Sequence, residues 1–196
     1  AHVDYKRVHG NFLNMYEQLP YAPAPGEFPH IRSLLAHIFG EQLELGIDYI
    51  QLLYMRPTQR LPILLLVSQE RNTGKTTFIH FLQAIFGANM TINTNEDFKS
   101  NFNSEWVSKL IIATDEVLLN RMEDSERFTT LSTAKTFKLE AKGKDRTEIE
   151  FFGKFNLFSH HENNPVLIEQ GEIRYWVRQI MPIENENTQM LDRMRS

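Results

Sequence analysis

The stretch with the clearest chemical potential runs from residue 69 to residue 77 and reads Gln-Glu-Arg-Asn-Thr-Gly-Lys-Thr-Thr. It lies between an apolar run, residues 63–67, and a segment with helical spacing, residues 76–86. A glycine turn before a helix N-terminus presents backbone N–H groups to an anion, and the adjacent lysine adds positive charge. This context predicts a phosphate-binding loop, and the alternative is an ordinary loop ahead of a core helix.

The residues expected to contact a nucleotide are Asn72, Thr73, Gly74, Lys75, Thr76 and Thr77. Lys75 would reach the β- and γ-phosphates of ATP, and the Thr76 hydroxyl would ligate Mg²⁺. The usual loop pattern begins with glycine, whereas this chain has Gln69 at that position.

A second candidate motif is the pair Asp115 and Glu116, which ends an apolar run that begins after Lys109. Asp115 would hold Mg²⁺ through water, and Glu116 would polarise an attacking water molecule. The alternative is a strand with no role in nucleotide binding that runs into a solvated turn, because such a strand would show the same pattern. The spacing from Lys75 leaves room for one helix and one crossover in a single sheet, so the two motifs together favour a nucleotide site.

Two alternating segments, residues 136–140 and 147–151, flank a basic stretch that contains glycine. This arrangement predicts a β-hairpin. Its tip carries Lys142, Lys144 and Arg146, which would either contact DNA phosphates or form a solvated turn.

A further predicted strand, residues 154–159, ends in a polar loop that begins with His160. Polar residues at the carboxyl edge of a parallel sheet are placed to sense a ligand. The adjacent His161 invites a metal interpretation, but no third ligand at suitable spacing supports it. Arg174 and Arg178 lie on a strand predicted over residues 171–180, where they would contact a γ-phosphate or form surface salt bridges.

The remaining sequence supplies the framework. Periodicity predicts helices over residues 31–39, 43–55 and 125–134, and Asn95 is expected to cap a short helix towards Trp106. We divide the chain into a helical N-terminal element and connector (1–58), a nucleotide core (59–183) and a polar tail (184–196). The absence of an initiator Met suggests a piece of a longer protein, and the tail is expected to lead into a further domain.

Composition limits the class of protein. The 196 residues include no cysteine, which excludes disulfides and fits a cytoplasmic location. No apolar run of 18 residues and no signal peptide are present, so we expect no membrane association. The formal net charge is −4, and any contact with nucleic acid must therefore be local.

The order of these features resembles superfamily 3 helicases, and more closely the ATPase part of phage and mobile-element primase-helicases. The resemblance covers residues 49–183, and residues 48–62, 140–145 and 172–175 are also similar to segments of that family. It implies an α/β P-loop NTPase of the AAA+ type with a parallel central sheet, an inserted β-hairpin and a short helical N-terminal element. It also implies a ring, expected to be hexameric, with ATP and Mg²⁺ bound between subunits and single-stranded DNA in the central channel.

Residue by residue, the resemblance assigns Lys75 and Thr76 to the first nucleotide motif and Asp115 and Glu116 to the second. Lys142 and Lys144 match the hairpin that grips DNA, and Arg174 matches the arginine donated across the subunit boundary. The chain departs from the family at Gln69 and at His160, which stands where the sensor strand usually has Asn. Asn163 is the nearest substitute, and a neutral His160 could donate one hydrogen bond towards the γ-phosphate.

The expected function is ATP-driven translocation on single-stranded DNA, as part of a longer primase-helicase in the replication of a phage or integrated element. A nucleotide-binding assembly module with little or no hydrolysis is the main alternative, and Gln69 and His160 favour it. A small-molecule kinase is a further alternative, although no acceptor pocket or lid is evident in the sequence.

Overall fold

The computed structural model describes residues 8–9, 12–19, 21–100, 102–140, 146–160 and 167–183. Within these residues the strands are β1 (Val8–His9), β2 (Phe12–Leu13), β3 (Ile63–Ser68), β4 (Met90–Asn93), β5 (Ile111–Thr114), β6 (Thr136–Leu139), β7 (Thr147–Glu150), β8 (Lys154–His160) and β9 (Tyr175–Gln179). The α-helices are α1 (Pro29–Phe39), α2 (Leu43–Met55), α3 (Lys75–Phe86) and α4 (Met122–Thr133).

A five-stranded sheet in the order β4-β5-β8-β3-β9 forms the centre of the fold, and every neighbouring pair in it is parallel. All six residues of β3 are buried, as expected for a strand covered on both faces of a parallel sheet. The carboxyl ends of these strands therefore share one edge. The predicted α/β fold with a parallel central sheet is confirmed.

The two faces of the sheet have separate cores because side chains alternate along each strand. Leu64 and Leu66 of β3 belong to a cluster that contains residues of α1, α2 and α3. Ile63 and Leu65 face the opposite cluster, which is rich in aromatic residues. The N-terminal helices thus pack on the same face of the sheet as the helix that follows the candidate phosphate loop.

The predicted β-hairpin is confirmed as the antiparallel pair of β6 and β7, with Thr136 opposite Glu150 and Leu139 opposite Thr147. Phe137 packs against Trp106 and Phe151, with ring centroids 5.5 and 4.7 Å away. The buried Asn103 donates to the carbonyl of Lys138 at 2.8 Å and accepts from the N–H of Glu140 at 2.9 Å. Residues 141–145 of the tip lie outside the described residues.

The prediction of a short helix after Asn95 is wrong. Residues 95–99 and 104–108 form turns, and the carboxylate of Asp97 binds the N–H and hydroxyl of Thr94. The Asn95 side chain is engaged with a distant loop and caps nothing locally. Helix α4 begins three residues earlier than predicted, and the short strands β1, β2 and β4 have no counterpart in the predicted elements.

Candidate nucleotide-binding site

The β3–α3 loop, residues 69–74, has the backbone that an anion site needs. Gly74 has φ 78° and Asn72 has φ 55°, so two residues of this loop adopt the left-handed region. Helix α3 begins at the next residue, Lys75, and its first N–H groups are therefore available to a ligand. Gln69 is exposed and has no positive φ, so the backbone at this position does not require the glycine of the usual pattern.

Lys75 reaches from the start of α3 across the ends of two strands. Its Nζ donates to the carbonyl of Ser159 at 3.0 Å and to the hydroxyl of Ser68. Ser68 in turn donates to the carbonyl of Glu70 at 2.9 Å, which ties the lysine to its own loop. Burial lowers the pKa of Lys75, and the Asp115 and Glu116 carboxylates act in the opposite direction.

Asp115 and Glu116 lie in the turn that follows β5, and both are exposed to the cleft. Glu116 has φ 56°, and the N–H of Val117 donates to the carbonyl of Phe158 at 2.7 Å. The positive φ of Glu116 is a strained conformation for a residue other than glycine, and such strain is common at functional sites.

Asn95 is a site residue whose role sequence reasoning missed. Its amide nitrogen donates to the carbonyl of Glu116 at 3.2 Å, and its oxygen accepts from the N–H of Leu118 at 3.2 Å. The side chain thus bridges both sides of the turn that carries the carboxylates. Its polar side chain was the available signal, but its partners are distant in sequence.

Strand β8 lies between β5 and β3, so its last residue, His160, lies between the Asp115–Glu116 turn and the β3–α3 loop. The Nε2 atom of His160 is buried and has no partner within the described part of the chain. The cleft has a volume of about 880 Å³, a size typical of small-molecule sites. It is lined by Glu70, Arg71, Asn72, Thr73, Gly74, Lys75, Thr76, Thr77, Asn95, Asp115, Glu116, Val117, Leu118 and His160.

The donor set of this cleft suits a phosphorylated ligand and a hard cation. The Thr76 hydroxyl and the Asp115 carboxylate are oxygen ligands of the kind that Mg²⁺ prefers. The loop N–H groups and Lys75 complement the negative charge of phosphate. The structure therefore brings together on one edge of the sheet all the cleft residues predicted to bind nucleotide.

Arg174 and Arg178 do not line this cleft. The carbonyl of Arg174 accepts from the N–H of Ile63, at the amino end of β3, which is the opposite edge of the sheet. The Arg174 guanidinium pairs with Glu172, with Nε and Oε1 2.6 Å apart. Arg178 pairs with Glu41 at 2.5 Å, which is the salt-bridge alternative for this residue.

The predicted DNA-binding residues are only partly described. Arg146 forms an ion pair with Glu140 at 3.1 Å, and its side chain is largely exposed. Lys142 and Lys144 lie outside the described residues, as do His161 and Asn163. Their roles stay predictions.

The fold is shared with solved structures of other proteins. Two structures of the NrS-1 C-terminal region match with TM-scores of 0.76 and 0.79 at 23% and 24% identity, over 89% and 93% of this chain. JCV Helicase matches with a TM-score of 0.52 at 14% identity, over 81% of this chain. The chain spans less than half the length of each of these structures, from 44% to 47%. At these identities the similarity shows a shared fold.

The chain belongs to DUF5906, a family of unknown function, whose model matches residues 66–174, more than half of its length. That match includes the β3–α3 loop, the Asp115–Glu116 turn and the hairpin. No match was found among curated proteins. No helix in the described ranges is long and apolar enough to cross a membrane.

Proposed function

We propose that this chain is the ATP-hydrolysing part of a DNA helicase or translocase that acts in the replication of a phage or mobile element. The observation that carries the proposal is the position of Lys75 in the same cleft as Asp115 and Glu116, with His160 between the two motifs. A phosphate-binding loop with carboxylates on a nearby strand end is the arrangement that ATP hydrolysis needs.

Each side chain has a defined task in this proposal. The N–H groups of the β3–α3 loop bind the β- and γ-phosphates, and Lys75 exchanges its bonds to Ser68 and Ser159 for phosphate oxygens. Thr76 and Asp115 hold Mg²⁺, which supplies charge neutralisation when bound. Glu116 orients the water molecule that attacks the γ-phosphorus, so that the bond to the ADP oxygen breaks and inorganic phosphate leaves.

Arg174 is proposed to act on a neighbouring subunit. The six residues of β3 separate its backbone from the β3–α3 loop by a strand length of about 17 Å, so it does not reach its own cleft. The Arg174 side chain is 48% exposed and can leave Glu172 for a neighbour's γ-phosphate. A ring of identical subunits places one edge of each subunit against the next and completes each site.

The role of Glu116 is tested with Glu116→Gln. The amide has the same shape but does not polarise water, so the variant should bind ATP with near wild-type affinity and lose most turnover. Glu105→Gln removes another exposed carboxylate, one that does not line the cleft, and serves as the matched control. Wild-type turnover in Glu116→Gln would remove this residue from the mechanism.

The trans role of Arg174 is tested by mixing two inactive variants. Arg174→Ala lacks the donated arginine, and Lys75→Ala lacks the phosphate contact. Mixed rings contain some boundaries where an intact cleft meets an intact arginine, so activity should partly return. Specific activity of the wild type should also rise with protein concentration. A monomer with concentration-independent activity contradicts the ring.

The DNA role of the hairpin is tested with the double variant Lys142→Ala, Lys144→Ala. Each lost phosphate contact should reduce the salt slope of single-strand binding by about 0.7. The affinity of this variant for ATP should equal that of the wild type. The double variant Lys99→Ala, Lys109→Ala controls for the loss of two positive charges. Equal DNA affinity and an equal slope in the hairpin variant would assign the tip to a solvated turn.

A further inference from the structure

Two groups from outside the β3–α3 loop bind two consecutive carbonyls within it. The N–H of Ile183, after β9, donates to the carbonyl of Asn72 at 3.0 Å. The Nε2 atom of His37, on α1, lies 3.1 Å from the carbonyl of Thr73. A carbonyl only accepts hydrogen bonds, so Nε2 is the protonated nitrogen of this contact.

These contacts determine where the loop N–H groups point. The peptide bonds are trans, and in a trans peptide the N–H points opposite to the C=O. Asn72, Thr73 and Gly74 line the cleft, whereas His37 and Ile183 do not. With both carbonyls turned towards these outside groups, the N–H groups of Thr73 and Gly74 are directed into the cleft.

The same two residues form the wall behind Gly74. A Cβ atom on Gly74 would lie 3.2 Å from Cδ1 of Ile183 and 3.7 Å from Cδ2 of His37. Thr73 itself is buried. Helix α1 and the segment after β9 therefore pack against one side of the loop, and the opposite side lines the cleft.

We propose that His37 and the backbone N–H of Ile183 are positioning groups for phosphate binding, which they achieve by fixing the direction of two loop peptides. This inference rests on the proposed nucleotide site. Its consequence is reciprocal coupling: a displacement of α1 or of the segment after β9 lowers phosphate affinity, and bound phosphate in turn stabilises both contacts. The two elements are thereby linked to nucleotide state.

The first test compares His37→Phe with His37→Gln. Phenylalanine keeps an aromatic ring and removes the donor, whereas the glutamine amide can donate to the carbonyl of Thr73. His30→Phe, an exposed position on the same helix, is the matched control. Loss of one hydrogen bond should weaken binding of MgADP about fivefold in His37→Phe. His37→Gln should restore most of the affinity, and His30→Phe should bind as the wild type does.

Steady-state kinetics separates positioning from general damage. The contact is made before and during the reaction, so His37→Phe should raise KM for ATP about fivefold with kcat near the wild-type value. The midpoint of thermal unfolding should stay within a few degrees of the wild type. Equal KM and equal MgADP affinity in His37→Phe and the wild type would overturn the role of His37.

The second test concerns Ile183. Ile183→Pro removes the N–H donor, whereas Ile183→Ala keeps it and removes the packing against Gly74. Weaker MgADP binding in Ile183→Pro than in Ile183→Ala supports the backbone contact, and equal binding overturns it. Wild-type protein that does not bind MgADP refutes the proposed function itself. Wild-type binding that neither His37→Phe nor Ile183→Pro weakens refutes only the positioning.

Discussion

Lys154, the first residue of β8, is a charged group inside the protein, and its removal should stabilise the fold. Its side chain is only 3% exposed, and Nζ donates to the carbonyl of Pro57. Burial lowers the pKa of Lys154 from 10.5 to about 7. Lys154→Met keeps a similar volume without the charge, so the variant should be more stable than the wild type at neutral pH.

The size of this effect follows from the difference between the folded and unfolded pKa values. Below about pH 7 the amine is charged in both states, and the full penalty for its burial is present. From about pH 7 to 10.5 the unfolded chain binds more protons, so wild-type stability rises by about 1.4 kcal/mol per pH unit from this group. The accumulated gain is about 3–5 kcal/mol. The variant lacks this rise.

The assay is urea unfolding of wild type and Lys154→Met from pH 6 to pH 10. Groups shared by both proteins cancel in the difference curve, which should favour the variant at pH 6 and decline above pH 7. Lys135→Met, an exposed lysine that lines the same surface pocket, should give a flat difference. A flat curve for Lys154→Met as well would show that Lys154 carries no burial penalty.

Three further substitutions test contacts of the site and the hairpin. Gly74→Ala places a Cβ atom on a residue with φ 78°, 3.2 Å from the Ile183 side chain. The free energy of unfolding, measured by denaturation, should fall by about 1–2 kcal/mol. Binding of MgADP, measured by titration, should be weaker. Asn95→Ala removes both bonds to the turn that carries Glu116, and kcat for ATP should fall more than nucleotide affinity does. Asn103→Ala breaks the link between the core and the hairpin, so unfolding should become easier by about 1–3 kcal/mol and affinity for single-stranded DNA should fall in the same preparation.

The parts of the fold that the sequence predicted well have strong local signals. Strands β3 and β5 are largely apolar runs, because both faces of the sheet are covered. Strand β4 has only four residues, and two of them are not fully buried. Its sequence therefore contains no long apolar run, and the strand was not predicted. The hairpin was predicted because apolar and polar residues alternate on both sides of a glycine turn.

The long-range contacts that shape the candidate site could not be predicted from local sequence patterns. Asn95 reaches the turn at Glu116, and His37 reaches Thr73, and both pairs meet only because the sheet and α1 bring distant segments together. The sequence likewise contains no signal for the placement of β8 between β5 and β3, which puts His160 between the two motifs. Strand order is set by the packing of the whole domain.

The cleft at Lys75 is proposed to bind and hydrolyse ATP. The most direct measurement is steady-state release of phosphate from ATP by wild type and Lys75→Ala, with and without single-stranded DNA. Lys109→Ala, a half-buried lysine outside the cleft, is the control. The wild type and the control should hydrolyse ATP faster when DNA is present, and Lys75→Ala should release phosphate only at background. Equal turnover in Lys75→Ala and wild type would contradict the account, and nucleotide binding without any turnover in the wild type would indicate an assembly module in place of a motor.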